Sequence, residues 1–374
     1  MRNTFGSNVT ITLFGESHGP AVGCVIDGLT PGIDVDDEAI RNLLSRRRPS
    51  SIVDTPRREP DNYKILSGVF NGKTTGTPIC IMIPNEETKS GDYLFGPARP
   101  SHADYTAHVK YNGFEDYRGG GHFSGRITSA LVAAGGTVIP ALNKLGISIG
   151  THISECGGQN DRDFSSSEAE MTEEIRSLQL KNFPVLSDEA GEKMIGQIEA
   201  AAKDCNSLGG IVKTAVTGLP VGVGEPWFDS LESQLAHAMF SVGAVKGIQF
   251  GSGFEGTRLK GSEFNDPMRL NNGRTVTLSN NNGGINGGIS NGMPVTFSVA
   301  VKPTPSIARP QQTVNFLTGK EEELVIHGRH DPAIVRRICP VIDSVTAIVI
   351  ADALVTAFGP QVLVKGKAIW NTDL

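Results

Sequence analysis

Cysteine is sparse in this 374-residue chain, and what there is does not pair. Cys24, Cys80, Cys156, Cys205 and Cys339 are scattered and odd in number, with no Cys-x-x-Cys. That spacing excludes a zinc ribbon and fits a reduced, cytoplasmic setting. Long apolar runs are also missing. No stretch reaches about 18 uninterrupted apolar residues, the length a membrane helix needs. The opening Met1–Ser7 has no apolar run behind a basic head, so neither a bilayer span nor a secretory signal is expected. Excess positive charge is absent too. Lys plus Arg number 34 against 40 Asp plus Glu, giving −6, and aromatics are only 6%. A nucleic-acid surface, which wants basic charge and stacking platforms, is therefore not expected. No Gly-Lys-Ser/Thr loop and no Gly-x-Gly-x-x-Gly after a strand occurs. His327 and His330 beside Asp331, and His102 with His108, match no metal-ligand spacing, so no metal is expected.

Glycine is plentiful instead: 45 residues, about 12% where roughly 7% is ordinary. No Gly-X-Y period accompanies it, so the glycines point to tight turns and close backbone approach to a ligand. Thr alternates with apolar residues over 9–14, which predicts a half-buried strand. Ala21–Ile26 reads as its partner across Gly15-Glu16-Ser17-His18-Gly19-Pro20. Asp36 or Asp37 can cap a helix presenting Ile40, Leu43 and Leu44. Further strands are expected at Ile65–Phe70, Pro78–Ile83, Ile211–Thr217, Gly247–Phe250 and Met293–Val301, with a helix over 229–241. An apolar helix from about Gly125 to Leu145 carries Gly135, Gly136 and Pro140, so a kink or break is expected. Residues 166–205 read as a polar helical pair, and Pro340–Phe358 as an apolar helix. Val25–Gly32 and Val216–Gly222 echo one another, each followed by an acidic helix start. Two such units would give a pseudo-symmetric α+β core.

Three groups of residues could carry chemistry. His18 lies in a Gly-bounded loop beside Glu16 and Ser17, and His102 lies between Arg99 and Asp104. Either could be a general acid, or simply a hydrogen-bonded loop histidine. Arginines cluster at 46–48 and 57–58, with Arg99, Arg118, Arg126, Arg329, Arg336 and Arg337 near turns or helix ends. Guanidinium forks suit carboxylate and phosphate, or serve as a solvated helix face. Gly119-Gly120-Gly121 precedes a helix start, where free amides favour an anion. Ser279–Gly292 is an Asn/Gly loop punctuated by Ile285 and Ile289, and Lys302-Pro303-Thr304-Pro305-Ser306 closes the strand after it.

Taken in order, these strings resemble the chorismate synthase family over nearly the whole chain. The resemblance rests on Phe14–Gly19, Arg46–Pro49, Arg57–Asp61, Leu66–Phe70, Thr74–Pro78, Arg99–Tyr105, Asp116–Gly121, Ala244–Gly247, Gly283–Ile289 and Gly328–Pro332. It implies a single catalytic domain over 1–374 with a β-α-β sandwich and a peripheral helical insertion at about 160–208. It implies a lyase for the last shikimate-pathway step, feeding aromatic amino-acid biosynthesis. There 5-enolpyruvylshikimate 3-phosphate loses phosphate and its C6 hydrogen by anti-1,4-elimination. Reduced FMN is needed without net redox change, with an external flavin reductant, an NADP link and a homotetramer. By carry-over His18 is the acid near the leaving phosphate, and His102 protonates or balances the flavin. Asp352 assists the flavin N5, a role in keeping with an Asp inside so apolar a helix. Ser17, Arg47, Arg48, Arg99 and Arg329 contact substrate. His122, Phe123, Ser124, Gly243, Ala244, Gly287, Lys302, Pro303, Thr304, Pro305, Ser306 and Arg329 contact FMN. The chain departs from the family where His122-Phe123-Ser124 stands for the usual Arg-Ser-Ser. Gly125-Arg126-Ile127-Thr128 stands for Ala-Arg-Glu-Thr, and Gly243 replaces a common Asn or Pro. The Arg that usually follows the triple-Arg run is missing from Ser50–Asp54.

Overall fold

Thr10, Thr12 and the residues between them form a strand as the alternation requires, and its neighbours extend it into a sheet. The computed structural model describes residues 2–50, 54, 59–86, 94–271, 273–326 and 331–366. In the N-terminal half lie β1 (Thr4–Phe5), β2 (Thr10–Gly15), β3 (Ala21–Asp27), β4 (Lys64–Ser67), β5 (Val69–Phe70), β6 (Lys73–Thr74) and β7 (Ile79–Pro84). The rest of the chain adds β8 (Ser148–Cys156), β9 (Gln159–Asn160), β10 (Gly210–Thr217), β11 (Val245–Phe250), β12 (Met268–Asn271), β13 (Arg274–Thr277), β14 (Ile285–Asn286), β15 (Ile289–Ser290), β16 (Val295–Val301), β17 (Gln311–Asn315) and β18 (Lys320–Leu324). The helices are α1 (Asp37–Arg47), α2 (Asp104–Lys110), α3 (Thr128–Lys144), α4 (Glu168–Leu180), α5 (Asp188–Lys203), α6 (Leu231–Ser241), the single turns α7 (Gly253–Gly256) and α8 (Gly261–Phe264), α9 (Val335–Phe358) and α10 (Val362–Lys365).

Two five-stranded antiparallel sheets, ordered β1-β2-β3-β7-β4 and β11-β16-β10-β8-β9, enclose a helical layer. Helix α3 packs on β3 and β7, α9 packs on β8 and β10, and α3 and α9 pack on each other. This is the α+β sandwich with helices between sheets. Helix α9 is long and apolar enough to cross a bilayer, but its apolar stretch is wholly buried inside the protein. Its job is to fill the space between the sheets.

The internal echo is a structural one. β3 and β10 are each the central strand of their sheet. Each ends at a glycine with positive φ, Gly28 (84°) and Gly218 (76°), and passes a second, Gly32 (95°) and Gly222 (94°). Each leads to a capped helix: Asp36 accepts from the Ala39 amide at α1, and Ser230 from the Ser233 amide at α6.

Two expectations are corrected. Helix α3 runs unbroken through Gly135, Gly136 and Pro140. A Cβ on Gly135 would lie 2.2 Å from Ser344 Cβ, and one on Gly136 would lie 2.8 Å from Ile40 Cα. The glycines are there to admit α9 and α1, and that packing outweighs the penalty of about 3 kcal/mol for proline. The strand expected over Ile65–Phe70 is divided at Gly68, whose φ is 83° and whose Cβ would strike Ile79 Cα at 2.7 Å. The polar helical pair is present as α4 and α5. Helix α4 packs on β8 and β10, with Met171, Ile175 and Ala215 forming a small satellite cluster.

Candidate functional site

The loop after β2 is folded against the triple glycine. Ser17 N donates to the Gly121 carbonyl at 3.1 Å. The Ser17 hydroxyl lies 3.3 Å from the carbonyls of Arg118 and Gly119, so its proton is committed to them. Oγ, 3.1 Å from His18 Nδ1, is then left to accept from that nitrogen, which fixes the ring and its tautomer. Gly119 has φ 60°, and a Cβ there would meet His18 Cε1 at 2.1 Å. Only glycine lets the imidazole, 8% exposed, lie against this turn.

Beside that turn opens a cleft of about 810 Å³. Its walls come from distant stretches: Arg47, Arg99 to Asp104, Gly119 to Thr128, His237 to Ala244, Lys302 to Ser306, and Asp331 to Val345 supply residues to it. The floor is apolar, with Ile11, Leu13, Ile127, Leu131, Val341, Val345 and Ile348. Charged side chains line it as well. Arg2, Arg47, Arg99, Lys302 and Arg337 face two carboxylates, Asp104 and Asp331. A second chamber of about 500 Å³, walled by Phe95, Tyr111, Tyr117, Phe123 and Phe316, shares Arg99, Asp104, Gly120, His122 and Phe123 with the first.

Two residues with left-handed backbone stand at the cleft, Ser101 (φ 59°) and Ala244 (φ 75°). Strain of this kind persists only where surroundings impose it. Lys302 supplies part of the restraint: its amide donates to the Ala244 carbonyl at 2.9 Å and its Nζ to the Ser101 carbonyl at 2.7 Å. Burial pulls the Lys302 ammonium below its usual value, with Lys246 adding to the effect. His102 Nε2 lies 2.8 Å from Ser306 Oγ. The Asp104 carboxylate is engaged by Arg99 instead, through Nε at 2.8 Å and Nη2 at 2.7 Å. Burial pushes that carboxyl up, but the Arg99 hydrogen bonds and charge prevail and hold it below the usual range. His122 Nδ1 lies 2.8 Å from the Gly15 carbonyl. The imidazole that replaces the usual Arg thus ties the glycine turn to β2.

The three consecutive arginines go three ways. Arg46 reaches Asp343 in the core at 3.3 Å. Arg47 faces the cleft, anchored by Asp61 at 2.8 Å. Arg48 donates to the Pro60 carbonyl at 2.7 Å. Arg126 is buried among Glu59, Asp61 and Asn85. Burial raises the Asp61 carboxyl, but Arg47 and Arg126 together hold it below its ordinary value.

Of the residues expected at the site, Arg47, Arg99, His102, His122, Phe123, Ser124, Gly243, Ala244, Lys302, Thr304, Pro305 and Ser306 line the cleft. Ser17 and His18 lie against its Gly119 wall. Arg48, Pro303 and Gly287 are not on its walls. Gly287 belongs to the β14–β15 turn beside the start of α6, whereas Gly243 and Ala244 follow that helix's end. Arg329, with His327 and His330, lies outside the described residues. Asp352 is a correction. Its carboxylate is buried mid-helix and accepts three backbone amides, Ser7 at 2.8 Å, Asn8 at 2.7 Å and Val9 at 2.8 Å. That set satisfies both oxygens and removes the burial cost that had suggested a role on a cofactor. A carboxylate that does stand on the cleft wall, besides Asp104, is Asp331, joined by Arg337. Both were visible in the Arg-His-Asp-Pro string and the basic pair after it, but nothing in their spacing pointed them at this cavity.

A sequence profile described as chorismate synthase matches residues 9–355. The chain is 45% identical over 351 residues to a chorismate synthase of Pyrococcus abyssi, covering 93% of this chain and 96% of that one. It is 44% identical over 367 residues to a chorismate synthase of Dehalococcoides mccartyi, covering 97% and 100%. A solved chorismate synthase structure superimposes with a TM-score of 0.75 at 27% identity, covering 95% of this chain and 94% of that one.

Proposed function

We infer the chemistry of the cleft from one premise: this chain belongs to the chorismate synthase family. It is a lyase that forms chorismate in the shikimate pathway. The observation that carries the residue assignments is the five cations set against two carboxylates around one cavity, in a protein whose net charge is −6. The substrate, 5-enolpyruvylshikimate 3-phosphate, brings one phosphate and two carboxylates to such a rim.

The C3–O bond breaks with its electron pair passing to the departing phosphate; the C6 hydrogen leaves as a proton, and the electron pair left behind supplies the second ring double bond. His18, held by Ser17, is the acid beside the leaving oxygen. A donor aimed at growing negative charge is worth most where water is excluded. Arg99 and Arg47 clamp the anionic groups, each preset by a carboxylate that already holds part of its fork. The apolar floor between Ile11 and Ile348, with Ser124, Thr304 and Ser306 at its edge, fits a flat ring system carrying a polar tail. FMN in its reduced form suits that shape and supplies transient electron density, returned without net redox change. Lys302 and Ser306 would hold its polar side, and His102 would hold or move a proton next to it. Asp331 takes the carboxylate place first given to Asp352. An external reductant, a cytoplasmic setting and a homotetramer complete the reading.

The test is anaerobic turnover of 5-enolpyruvylshikimate 3-phosphate followed by chorismate absorbance. Product should form with reduced FMN and not without it. Phosphate release dependent on a divalent metal alone would overturn the assignment.

A further inference from the structure

We propose that Arg337 is a further anchor for an anionic group of the substrate, its phosphate or a carboxylate, held ready by the two neighbours it already grips. This rests on the reaction given above. Arg337 lies near the start of α9 and lines the cleft. Its Nε donates to the Arg47 carbonyl at 2.9 Å, and its Nη1 donates to the Asp331 carboxylate. Two edges of the planar guanidinium are therefore fixed. Among the described residues no acceptor meets Nη2.

The forks of Arg99 and Arg47 are each held in part as well. Asp104 takes both Nε and Nη2 of Arg99. Thr128 and Asp61 take Nη1 and Nη2 of Arg47. Arg337 thus presents to the cleft a terminal nitrogen, Nη2, with no partner among the described residues, on a guanidinium whose plane is already set. Burial, with Arg47 and Arg336 close by, pulls the Arg337 guanidinium below its usual value, while Asp331 and Asp54 work the other way. A guanidinium stays charged under those conditions. An oxygen of a substrate phosphate or carboxylate at Nη2 would complete the fork. Because Nε holds the backbone of Arg47 and Nη1 holds Asp331, the same contact would also tie substrate binding to both residues.

Lysine at this position keeps the charge but cannot donate along three fixed in-plane directions. The test is calorimetric titration of the FMN-loaded protein with 5-enolpyruvylshikimate 3-phosphate, in wild type, Arg337→Lys and Arg337→Gln. Loss of one charge-assisted bond should weaken binding roughly 10–100-fold in the lysine variant, and further in the glutamine variant. FMN affinity should stay within about threefold, because the Lys302 to Ser306 wall is untouched. A wild type that binds substrate while Arg337→Lys binds equally well would remove the anchor alone. A wild type that does not bind substrate would remove the family reaction and the anchor with it. Parallel losses of FMN and substrate affinity would show general damage to the cleft and would also overturn the proposal.

Discussion

His18 and His102 reach the cleft by different supports. His18 is fixed by Ser17 and by a glycine whose missing Cβ leaves room for its ring. His102 is fixed by Ser306, on a turn that Lys302 restrains from across the cleft. Replacing either by alanine should slow turnover by roughly 10²–10⁴, the range for a positioned acid–base group, with FMN still bound. Steady-state rates near wild type in either variant would remove that residue from the mechanism. Asp352 gives the opposite expectation. Asp352→Asn cannot accept all three amides, so it should lower stability by about 2–4 kcal/mol in denaturant unfolding. Turnover per folded molecule should stay within a few-fold. A hundredfold loss of turnover at unchanged stability would restore Asp352 to the chemistry. The residue types were legible in the sequence; their destinations were not. Arg46, Arg47 and Arg48 are chemically alike and adjacent, and only the helical turn decides that Asp343, the cleft and Pro60 receive them. The cost of burying Asp352 was read correctly, but the partners that meet it come from the far end of the chain, which no periodicity reveals.

Helices and strands were the most readable level where a face repeats. Helix α1 buries Ile40, Leu43 and Leu44 on the side its spacing required. The reading failed where a breaker residue has a tertiary reason, as at Gly135, which exists to let Ser344 approach. Helix α9 carries a second buried acid, and here the consequence is for stability. Asp343 has Arg46 at 3.3 Å on one oxygen and Thr151 as a further polar neighbour. Burial pushes its carboxyl up to about 6 against the pull of Arg46. The folded state therefore holds this proton more tightly than the unfolded chain, whose carboxyl titrates near the ordinary value of about 3.9. The stabilisation is complete below that value and is lost as pH rises through about 6. Asp343→Asn, neutral throughout, lacks this titration. Its melting temperature relative to wild type should rise between about pH 4 and pH 7. A constant difference across that window would show that Asp343 does not titrate there.

At the scale of the whole molecule, an acidic chain builds a locally cationic cavity by drawing on segments far apart in sequence. The two sheets and the helices between them make that possible. β3 with α1 and β10 with α6 are paired strand–turn–helix units, and Arg47 at the end of α1 and Ala244 beyond α6 both reach the same cleft. The ordered series of short strings made the family readable, because those strings sit at the turns that wall the cavity. The Gly287 turn shows the limit. It belongs to the same series, yet it lies at the opposite end of α6 from Ala244. The claim on which the account depends is that flavin and substrate share the 810 Å³ cleft. The direct measurement is a crystal structure of the protein with FMN and 5-enolpyruvylshikimate 3-phosphate. The isoalloxazine should lie on the apolar floor beside Lys302 to Ser306, with the substrate phosphate between His18 and the arginines. Flavin density in the aromatic chamber or on the outer surface, away from His102 and Ser306, would contradict it.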